Sequence, residues 1–489
     1  MTETTEKPRK KLRKNRQNKS ILVTTYVFLA LFLGLIGYMV YFNVVKADDI
    51  INNSYNKRQG ILESKVIRGS ILTSDGTVIA STAVDENGND VRCYPCDNLF
   101  AHVAGYINNG GYGLESNDGY YMLRSNENVF EQVVNDISGK RNRGDNLVTT
   151  LDYGIQKAAY DALGSSRGAA IVIEPSTGKI LAMVSKPDFN PNTLAANWDT
   201  ITAEGADSVL VNRATQGLYP PGSTFKIVTL LEYYKEHKDD YDDYSYDCEG
   251  SVQIGDKSIS CAEGTAHGHL NLMDSFYNSC NTSFINIGLN LDIKSYVDTA
   301  DKLLFNREVP LTMEHSKSQF VLDENSSQWE IAQTSFGQGK TLVTPMELAM
   351  IDCAVANNGV LMKPYVTDHV ESAEGVTVKK FKQSEYGALM AEDEADFLKK
   401  SMTYVGASRY GDVFTSDQYT IAAKSGTAQY GTQGYEHSLF VSFSPAESPE
   451  IAVVAVVEGG PSQSTNAKVV AKQIYDYYYS QKNTIAKQN

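Results

Sequence analysis

The stretch Pro220-Pro-Gly-Ser-Thr-Phe-Lys226 joins a loop to a helix. Two prolines and a glycine end the loop, and the residues that follow, 227–234, have the apolar spacing of a helix. Ser223 is therefore predicted in the first turn, where free backbone N–H groups and the helix dipole favour negative charge. Lys226 lies three residues later on the same face, within reach of the Ser223 hydroxyl. The pair predicts a serine nucleophile activated by a lysine.

This spacing alone is weak evidence, because Ser176…Lys179 has it too. Two further strings, Ser279-Cys-Asn281 and Lys424-Ser-Gly426, follow in order with gaps of domain size. The hydroxyl of Ser279 can pass a proton to a leaving amine, and the side-chain amide of Asn281 can orient a peptide bond. The three strings together predict an acyl-transfer site.

The third string lies in an apolar strand, 419–428. An inward-facing lysine on such a strand is unusual unless it is paired or functional. Gly426 would let a substrate approach the strand backbone. The hydroxyls of Ser425 and Thr427 and the charge of Lys424 suit recognition of a C-terminal carboxylate, so all four residues are predicted to bind substrate, as is Asn281.

A lysine base works only when it is neutral, so the pKa of Lys226 must fall by about 3 units, towards 7. Burial and a second nearby cation can both lower it. Lys424 is the candidate for that cation.

The three strings in this order are typical of penicillin-binding proteins and serine β-lactamases. The chain resembles the class B penicillin-binding proteins, with a short pedestal similar to that of penicillin-binding protein A. Other family-like pieces are Arg68–Ala80, Gly113-Leu-Glu115, Glu174–Ala182 and Gln333–Gly339. The resemblance covers roughly residues 60–480, although Thr73 and Ser74 stand where the family commonly has Asp-Arg.

The resemblance implies a peptidoglycan D,D-transpeptidase that serves cell-wall synthesis in elongation or division. Ser223 would attack the carbonyl between the two terminal D-alanines of a stem peptide, D-alanine would leave, and a neighbouring amine would resolve the acyl-enzyme. The backbone N–H groups of Ser223 and Thr427 would form the oxyanion hole. β-Lactams would acylate Ser223 in place of substrate.

The expected fold is α+β, with an antiparallel sheet between helices preceded by a small β-rich pedestal without a long amphipathic helix. The predicted segments are a basic tail (1–19), a transmembrane helix (20–45), the pedestal or dimerisation-like domain (46–145), the transpeptidase domain (146–482) and a C-terminal tail (483–489).

Charge and hydropathy predict a single-pass membrane protein. The basic tail carries a net charge of +6, whereas the chain carries −15 overall, and no charged residue lies between Ser20 and Val45. That apolar run can cross a bilayer of about 30 Å and is longer than the apolar part of a cleaved signal peptide, the weaker alternative. The positive-inside rule places the N-terminus in the cytoplasm and the catalytic domain outside. The acidic body argues against nucleic acid as a partner.

Two other functions remain open. A class D β-lactamase also favours Ser-Thr-Phe-Lys, but those enzymes usually have Ser-x-Val and Tyr-Gly-Asn and lack a pedestal. A non-enzymatic receptor would need a cytoplasmic effector, which the short basic tail cannot form. A scaffold role is compatible with activity, because class B proteins resemble subunits that pair with SEDS-type glycan polymerases. The expected partners are stem peptides on lipid-linked nascent glycan, β-lactams, the membrane and such a polymerase.

Six cysteines are present. A bridge between Cys248 and Cys261 would close a short loop and stabilise the fold by roughly 3 kcal/mol, with six free thiols as the alternative. Cys93-Tyr-Pro-Cys96 has no second pair that would support zinc. The pair His267-Gly-His269 is weak evidence for a metal, and no phosphate loop or dinucleotide fingerprint occurs. We therefore expect no metal and no cofactor.

Overall fold

The computed structural model forms two compact units, residues 1–59 and 60–489. The described residues are 9–42, 65–414, 416, 418–430, 435–461 and 463–488. Parts of all five predicted segments lie outside them: residues 1–8 of the basic tail, 43–45 of the membrane span, 46–64 of the pedestal, 415, 417, 431–434 and 462 of the transpeptidase domain, and 489 of the C-terminal tail.

The first unit contains helix α1 (Arg9–Tyr41). Its apolar part, Ile21–Tyr41, has a mean hydropathy of 2.2 and is long enough to cross a membrane. The helix therefore fits the predicted membrane anchor.

The second unit is a mixed α and β structure. Its helices are α2 (Ala101–Ala104), α3 (Gly113–Asn117), α4 (Gly119–Met122), α5 (Val129–Ser138), α6 (Tyr153–Leu163), α7 (Leu194–Ile201), α8 (Lys226–Glu236), α9 (Leu272–Tyr277), α10 (Asn281–Asn290), α11 (Ile293–Lys302), α12 (Gln328–Ser335), α13 (Pro345–Ala356), α14 (Glu392–Arg409) and α15 (Ala467–Gln488).

The strands are β1 (Val66–Ile67), β2 (Ile71–Leu72), β3 (Val78–Val84), β4 (Asp90–Cys93), β5 (Asn142–Arg143), β6 (Asn146–Thr149), β7 (Gly168–Glu174), β8 (Lys179–Lys186), β9 (Ser245–Cys248), β10 (Ser251–Ile254), β11 (Lys257–Ser260), β12 (Gly268–Asn271), β13 (Val360–Met362), β14 (Thr367–Glu371), β15 (Thr377–Lys380), β16 (Glu385–Ala388), β17 (Ala422–Tyr430), β18 (Tyr435–Ser444) and β19 (Ile451–Val457).

The centre of the second unit is an antiparallel sheet in the order β17-β18-β19-β7-β8. Every residue of β19 is buried, so both faces of the sheet are covered. Helices α6 and α15 pack against each other and against the sheet, and α13, buried along its whole length, packs against the central strands. The expected antiparallel sheet between helices is confirmed, and its edge strand β17 carries Lys424.

The pedestal sheet has the order β15-β14-β6-β2-β3-β4. Strand β6 pairs in parallel with β2, Ile71 opposite Leu147, and antiparallel with β14. Two of its strands, β14 and β15, come from a much later part of the chain, after β13. The predicted boundary at 146 therefore falls within a sheet that both segments build, and the domain limits stay predictions.

A buried ion-pair cluster explains two of the family-like pieces of the pedestal. The carboxylate of Glu115 accepts hydrogen bonds from Arg68 at 2.9 Å and from Arg92 at 2.7 Å, and its side chain is fully buried. Gly69 has to be a glycine because an added Cβ would lie 1.9 Å from the carbonyl oxygen of Asp145. The Arg-Gly and Gly-Leu-Glu strings thus join the first strands to α3.

The pedestal differs from expectation in its helices. Helix α5 has apolar residues at 129, 130, 133, 134 and 137, a helical spacing within an Asn-rich segment that was predicted to hold only short strands and turns.

At the other end of the chain, α15 continues to Gln488, so the predicted tail from 483 is helical over its described residues.

Candidate active site

Ser223 lies in a 3₁₀ turn, Gly222–Phe225, that leads directly into α8. The predicted position at the start of a helix is confirmed. Gly222 has φ +55°, and a Cβ there would lie 2.5 Å from the carbonyl oxygen of Thr427. The turn is therefore pressed against strand β17, which brings the first and third strings together.

Two other glycines fix this turn from opposite sides. Gly337 accepts a hydrogen bond from the N–H of Gly222 at 2.8 Å, and an added Cβ would lie 1.7 Å from the Gly222 oxygen. A Cβ on Gly426 would lie 2.8 Å from the oxygen of Pro221 and 3.1 Å from the nitrogen of Thr224. Gly426 is thus needed for packing of the strand against the serine turn, a reason different from the predicted approach of substrate.

The amine of Lys226 is fully buried and has four oxygen neighbours. Its Nζ lies 3.2 Å from Ser223 Oγ, 2.6 Å from the Ser279 carbonyl oxygen, 3.2 Å from Ser279 Oγ and 2.7 Å from Asn281 Oδ1. The structure therefore joins the first and second strings at one nitrogen atom.

These distances suit a neutral amine that accepts a proton. A neutral amine has two N–H donors and one lone pair, and the two shortest contacts are to oxygens that can only accept. If the two N–H groups of Lys226 donate to the Ser279 carbonyl and to Asn281 Oδ1, the lone pair is left for a hydroxyl. Both Ser223 Oγ and Ser279 Oγ lie within hydrogen-bond reach of it.

Burial lowers the pKa of Lys226 to about 7, with repulsion from the Arg409 guanidinium as a smaller cause. The predicted fall towards 7 therefore agrees with the structure. The predicted contribution of Lys424 stays a prediction. Burial, followed by repulsion from Lys226 and Arg409, lowers the pKa of Lys424 well below its ordinary range. The two amines repel each other, so protonation of either one lowers the pKa of the other.

The buried amine of Lys424 lies 2.9 Å from Ser279 Oγ and 3.1 Å from the Ser425 carbonyl oxygen. Ser279 Oγ therefore lies between the two lysine amines. Ser279 has φ +54°, a left-handed conformation that costs a non-glycine residue energy and has to be imposed by its surroundings. The predicted loop between helices is the short turn between α9 and α10.

The polar groups of Asn281 both bind protein. Its Oδ1 accepts from Lys226, and its Nδ2 donates to the Ser260 carbonyl oxygen at 3.1 Å. The predicted role in binding a substrate amide stays a prediction, whereas its contact with the lysine amine was not foreseen.

The predicted carboxylate-binding residues lie on β17 beside the serine turn. Ser425 Oγ accepts a hydrogen bond from the Tyr410 hydroxyl at 2.6 Å. Thr427 is exposed, and its main chain adjoins Gly222. Their roles in binding substrate stay predictions.

An open cleft of about 1140 Å³ runs past these groups. One side is formed by Ser223, Ser425 and Thr427, and the other by Ser258–Glu263, which belong to β11 and the residues after it. Of the predicted site residues, the cleft is lined by Ser223, Ser279, Asn281, Ser425 and Thr427, whereas the buried Lys226 and Lys424 do not line it. The arrangement can hold an extended peptide end against a reactive serine.

The predicted bridge between Cys248 and Cys261 is not formed in the structure. The two sulfur atoms lie 3.7 Å apart, whereas a disulfide requires about 2.05 Å. All six cysteines are free thiols in the structure.

Two domain models match the chain. The penicillin-binding protein transpeptidase domain matches residues 168–476, and the penicillin-binding protein A dimerisation domain matches residues 68–147. The chain belongs to the penicillin-binding protein transpeptidase family. The predicted family and fold are confirmed.

Similar proteins that cover most of this chain agree with the family assignment. The peptidoglycan D,D-transpeptidase PbpA of Mycolicibacterium smegmatis is 27% identical over 469 residues, covering 91% of this chain and 94% of the relative. A crystal structure of the D,D-transpeptidase domain of a peptidoglycan glycosyltransferase from Eggerthella lenta is 30% identical, with a TM-score of 0.74, and covers 85% of this chain and 98% of that one. Penicillin-binding protein A from M. tuberculosis, as an imipenem acyl-enzyme complex, is 25% identical with a TM-score of 0.76, covering 84% and 98%.

Two residues near the site carried no sequence signal. Arg409 ends α14, lines the cleft and donates to the Tyr277 carbonyl oxygen at 2.6 Å. Tyr410, next in the chain, holds Ser425. Neither stands in a string with recognisable spacing, and only the packing of α14 against β17 brings them to the transpeptidase site.

Proposed function

We propose that this transpeptidase cross-links peptidoglycan through an acyl-enzyme on Ser223, with Lys226 as the base. The contact of the buried Lys226 amine with Ser223 Oγ carries the proposal, because the two N–H groups of the amine have other acceptors and its pKa is about 7. Membership of the family and the names of the relatives support the substrate, a stem peptide ending in D-Ala-D-Ala.

In the proposed acylation, one proton leaves Ser223 and ends on the departing amine. Lys226 accepts the proton of Ser223 as Oγ bonds to the carbonyl carbon of the penultimate residue, and the N–H groups of Ser223 and Thr427 bind the resulting oxyanion. As the C–N bond breaks, the proton returns through the Ser279 hydroxyl to the departing D-alanine amine. An ester on Ser223 and free D-alanine result.

Deacylation reverses the roles. An amine of a neighbouring stem peptide attacks the ester carbonyl, and its proton passes by way of Ser279 and Lys226 to Ser223 Oγ as the ester bond breaks. Ser279 suits this relay because its hydroxyl lies 3.2 Å from the amine of Lys226 and 2.9 Å from that of Lys424. The products are the cross-link and the original serine.

Lys424, Ser425 and Thr427 are proposed to bind the substrate carboxylate, together with Arg409. An arriving carboxylate favours the protonated form of Lys424, because it places an opposite charge beside a buried amine. The bound carboxylate therefore raises the pKa of Lys424 from its low value in the free enzyme.

The test uses the full-length protein in detergent and a fluorescent penicillin. Ser223→Ala should abolish covalent labelling, because the alanine variant has no nucleophile. Ser176→Ala is the matched control, since Ser176 opens the other Ser-x-x-Lys string but lies exposed in the turn between β7 and β8; its labelling should equal that of the wild type. Persistent labelling of Ser223→Ala would refute the assignment. Rapid catalytic destruction of penicillin would favour a β-lactamase instead.

The proposed location is the plasma membrane, with a single span, a cytoplasmic N-terminus and an extracytoplasmic catalytic domain. The apolar segment of α1 and the basic residues that precede it support this orientation. Protease added outside intact spheroplasts should degrade the catalytic domain, and protection of that domain would reverse the orientation.

A SEDS-type glycan polymerase is the proposed partner of the pedestal. Helix α5 exposes an apolar face there, with Phe130 81% and Ile137 83% exposed. A double Phe130→Glu, Ile137→Glu variant should lose co-purification with the polymerase of the same organism. Val376→Glu, at an apolar position that is 65% exposed in the β14–β15 turn, is the control. Equal recovery of the polymerase with both variants would rule out α5 as the contact.

A further inference from the structure

Three thiols and an imidazole meet beside the active site. Cys248 ends β9, Cys261 follows β11, His267 precedes β12, and Cys280 lies at the N-terminus of α10. Their four ligand atoms all lie within 4.8 Å of one another. We call these residues the Cys3His cluster.

The spacing of the cluster matches a tetrahedral metal site. Two Zn–S bonds of about 2.3 Å at the tetrahedral angle separate the sulfurs by about 3.8 Å, and a Zn–S and a Zn–N bond separate their ligand atoms by about 3.6 Å. Cys261 Sγ lies 3.7 Å from the sulfurs of both Cys248 and Cys280, and Cys248 Sγ lies 3.3 Å from His267 Nδ1. A disulfide would instead bring one pair of sulfurs to about 2.05 Å.

The surroundings favour thiolate ligands. The three cysteines are buried, with 2%, 4% and 0% of Cys248, Cys261 and Cys280 exposed. The Thr282 hydroxyl donates to Cys248 Sγ at 3.2 Å, and the Ser283 N–H donates to Cys280 Sγ at 3.4 Å at the start of α10. Hydrogen bonds of this kind around the ligands orient them and stabilise their charge.

We propose that Cys248, Cys261, His267 and Cys280 bind one Zn²⁺ ion. Zinc is the divalent ion that three thiolates and one imidazole in a tetrahedron select. Because protein ligands occupy all four positions, the ion is structural and takes no part in proton transfer.

The ion positions the second catalytic string. Cys280 stands between Ser279 and Asn281, so a metal bond to its sulfur ties this turn to the two hairpins β10–β11 and β9–β12. The bond from Asn281 Nδ2 to the Ser260 oxygen lies on the same side, one residue from Cys261. Zinc thereby holds the left-handed turn at Ser279, and with it the two oxygen acceptors of Lys226.

The first experiment measures metal in the full-length protein, purified in detergent without chelators from zinc-supplemented cells. Elemental analysis should find one zinc per chain. His267→Ala and Cys261→Ser should lose it. His269→Ala is the matched control, because His269 is 73% exposed and binds Asp247 instead, and Cys93→Ser is the control for a cysteine outside the cluster. Absence of zinc from the wild type, or equal zinc in His267→Ala and His269→Ala, would overturn the proposal.

The second experiment uses the wild-type protein and so does not depend on the folding of variants. Exchange of zinc for Co²⁺ should give the intense near-ultraviolet band of thiolate-to-cobalt charge transfer and the visible bands of a tetrahedral ion. Chelation should make three additional cysteines reactive towards an alkylating reagent. A six-coordinate cobalt spectrum, or a bridge between two cluster cysteines found by mass spectrometry of the unreduced protein, would overturn the proposal.

The role of zinc in positioning the turn at Ser279 is tested by a separate measurement. Chelation should slow acylation by fluorescent penicillin by about 10- to 100-fold, and added Zn²⁺ should restore it. An unchanged rate after complete removal of the metal would refute the positioning role. Metal content does not depend on the identity of the nucleophile, so failure of the Ser223 assignment would leave the zinc result intact.

Discussion

The two sides of the cleft are held in different ways. On one side, Lys226 and Lys424 project from a helix and a strand that pack into the main core, next to the rings of Phe284 and Phe276. On the other side, residues 245–271 form two separate two-stranded sheets with a small cluster of buried residues, of which three are cysteines. Apolar packing positions the first side, and the second side needs cross-links between side chains.

The difference shows why each side tolerates its polar groups. A large core can bury two amines because the loss of hydration lowers their pKa values, and a low pKa is what the proposed base Lys226 requires. A two-stranded sheet is marginally stable alone, so a small hairpin pair depends on additional bonds. The active site thus combines a half in the main core that lowers the pKa values with a small half whose residues 258–263 line the cleft.

The largest expected effect is on the core side. Lys226→Met should lower the rate of penicillin acylation by about 10³-fold or more, because the general base is lost. The variant should nevertheless be at least as stable as the wild type at pH 6. Burial of the amine with a pKa of about 7 costs about 5 kcal/mol in that range, and methionine removes this cost.

The sign of the stability difference follows from proton binding. Between pH 7 and 10.5 the unfolded chain binds more protons at Lys226 than the folded one, so the cost is complete below pH 7 and disappears as the pH rises to about 10.5. Denaturation by urea at pH 6 and pH 9 should therefore favour the variant more at pH 6. A less stable variant at pH 6 would show that the amine stabilises the core.

The second effect concerns the hairpin side, where the substitution should lower the local stability instead of raising it. Cys261→Ser should increase the rate of proteolysis within residues 245–271 by about 10- to 100-fold, because the hairpins lose their cross-link. Limited digestion followed by mass spectrometry measures this, with Cys93→Ser as the control. Uniform cleavage throughout the protein, in place of cleavage confined to these residues, would mean that the two sides unfold together and that the comparison is wrong.

The sequence allowed more of the core side to be predicted than of the hairpin side. The apolar runs of β17, β18 and β19 and the helix after Ser223 have local patterns, so their elements and the meeting of Ser223, Lys226 and Ser279 could be foreseen. The buried position of the amines follows from the packing of the whole sheet. For that reason the effect of Lys424 on the pKa of Lys226 stays a prediction.

The Cys3His cluster was missed because cysteines were compared only in pairs. Cys248, Cys261, His267 and Cys280 follow one another at short intervals in the sequence, and such a series could have indicated a metal site. What no spacing shows is that two hairpins and a helix start bring the four residues to one point.

A third effect concerns the pH dependence of acylation. The rate should rise with pH through a midpoint near 7, because Lys226 accepts a proton only when it is neutral. Arg409→Gln should raise the midpoint, since a repelling cation is removed, and the midpoint of Lys424→Met measures whether the amine of Lys424 also repels the charge of Lys226. Stopped-flow labelling from pH 5 to 9 measures the rate of acylation for the wild type and for the two variants. A midpoint that rises in Lys424→Met would show that Lys424 is charged in the free enzyme.

The smallest effect concerns the support of Ser425 within the core side. Tyr410→Phe removes the hydroxyl that donates to Ser425 Oγ at 2.6 Å but keeps the ring that packs on Phe440. The variant also loses the hydrogen bond that the hydroxyl accepts from the Ser425 N–H at 3.2 Å. At about 0.5–1.5 kcal/mol a bond, acylation should slow by about 2- to 12-fold for each. Tyr404→Phe, in helix α14 just before Tyr410 and 40% exposed, is the control and should leave the rate of acylation unchanged. If both variants are acylated at the wild-type rate, packing alone orients Ser425, and the core side needs no polar support of this kind.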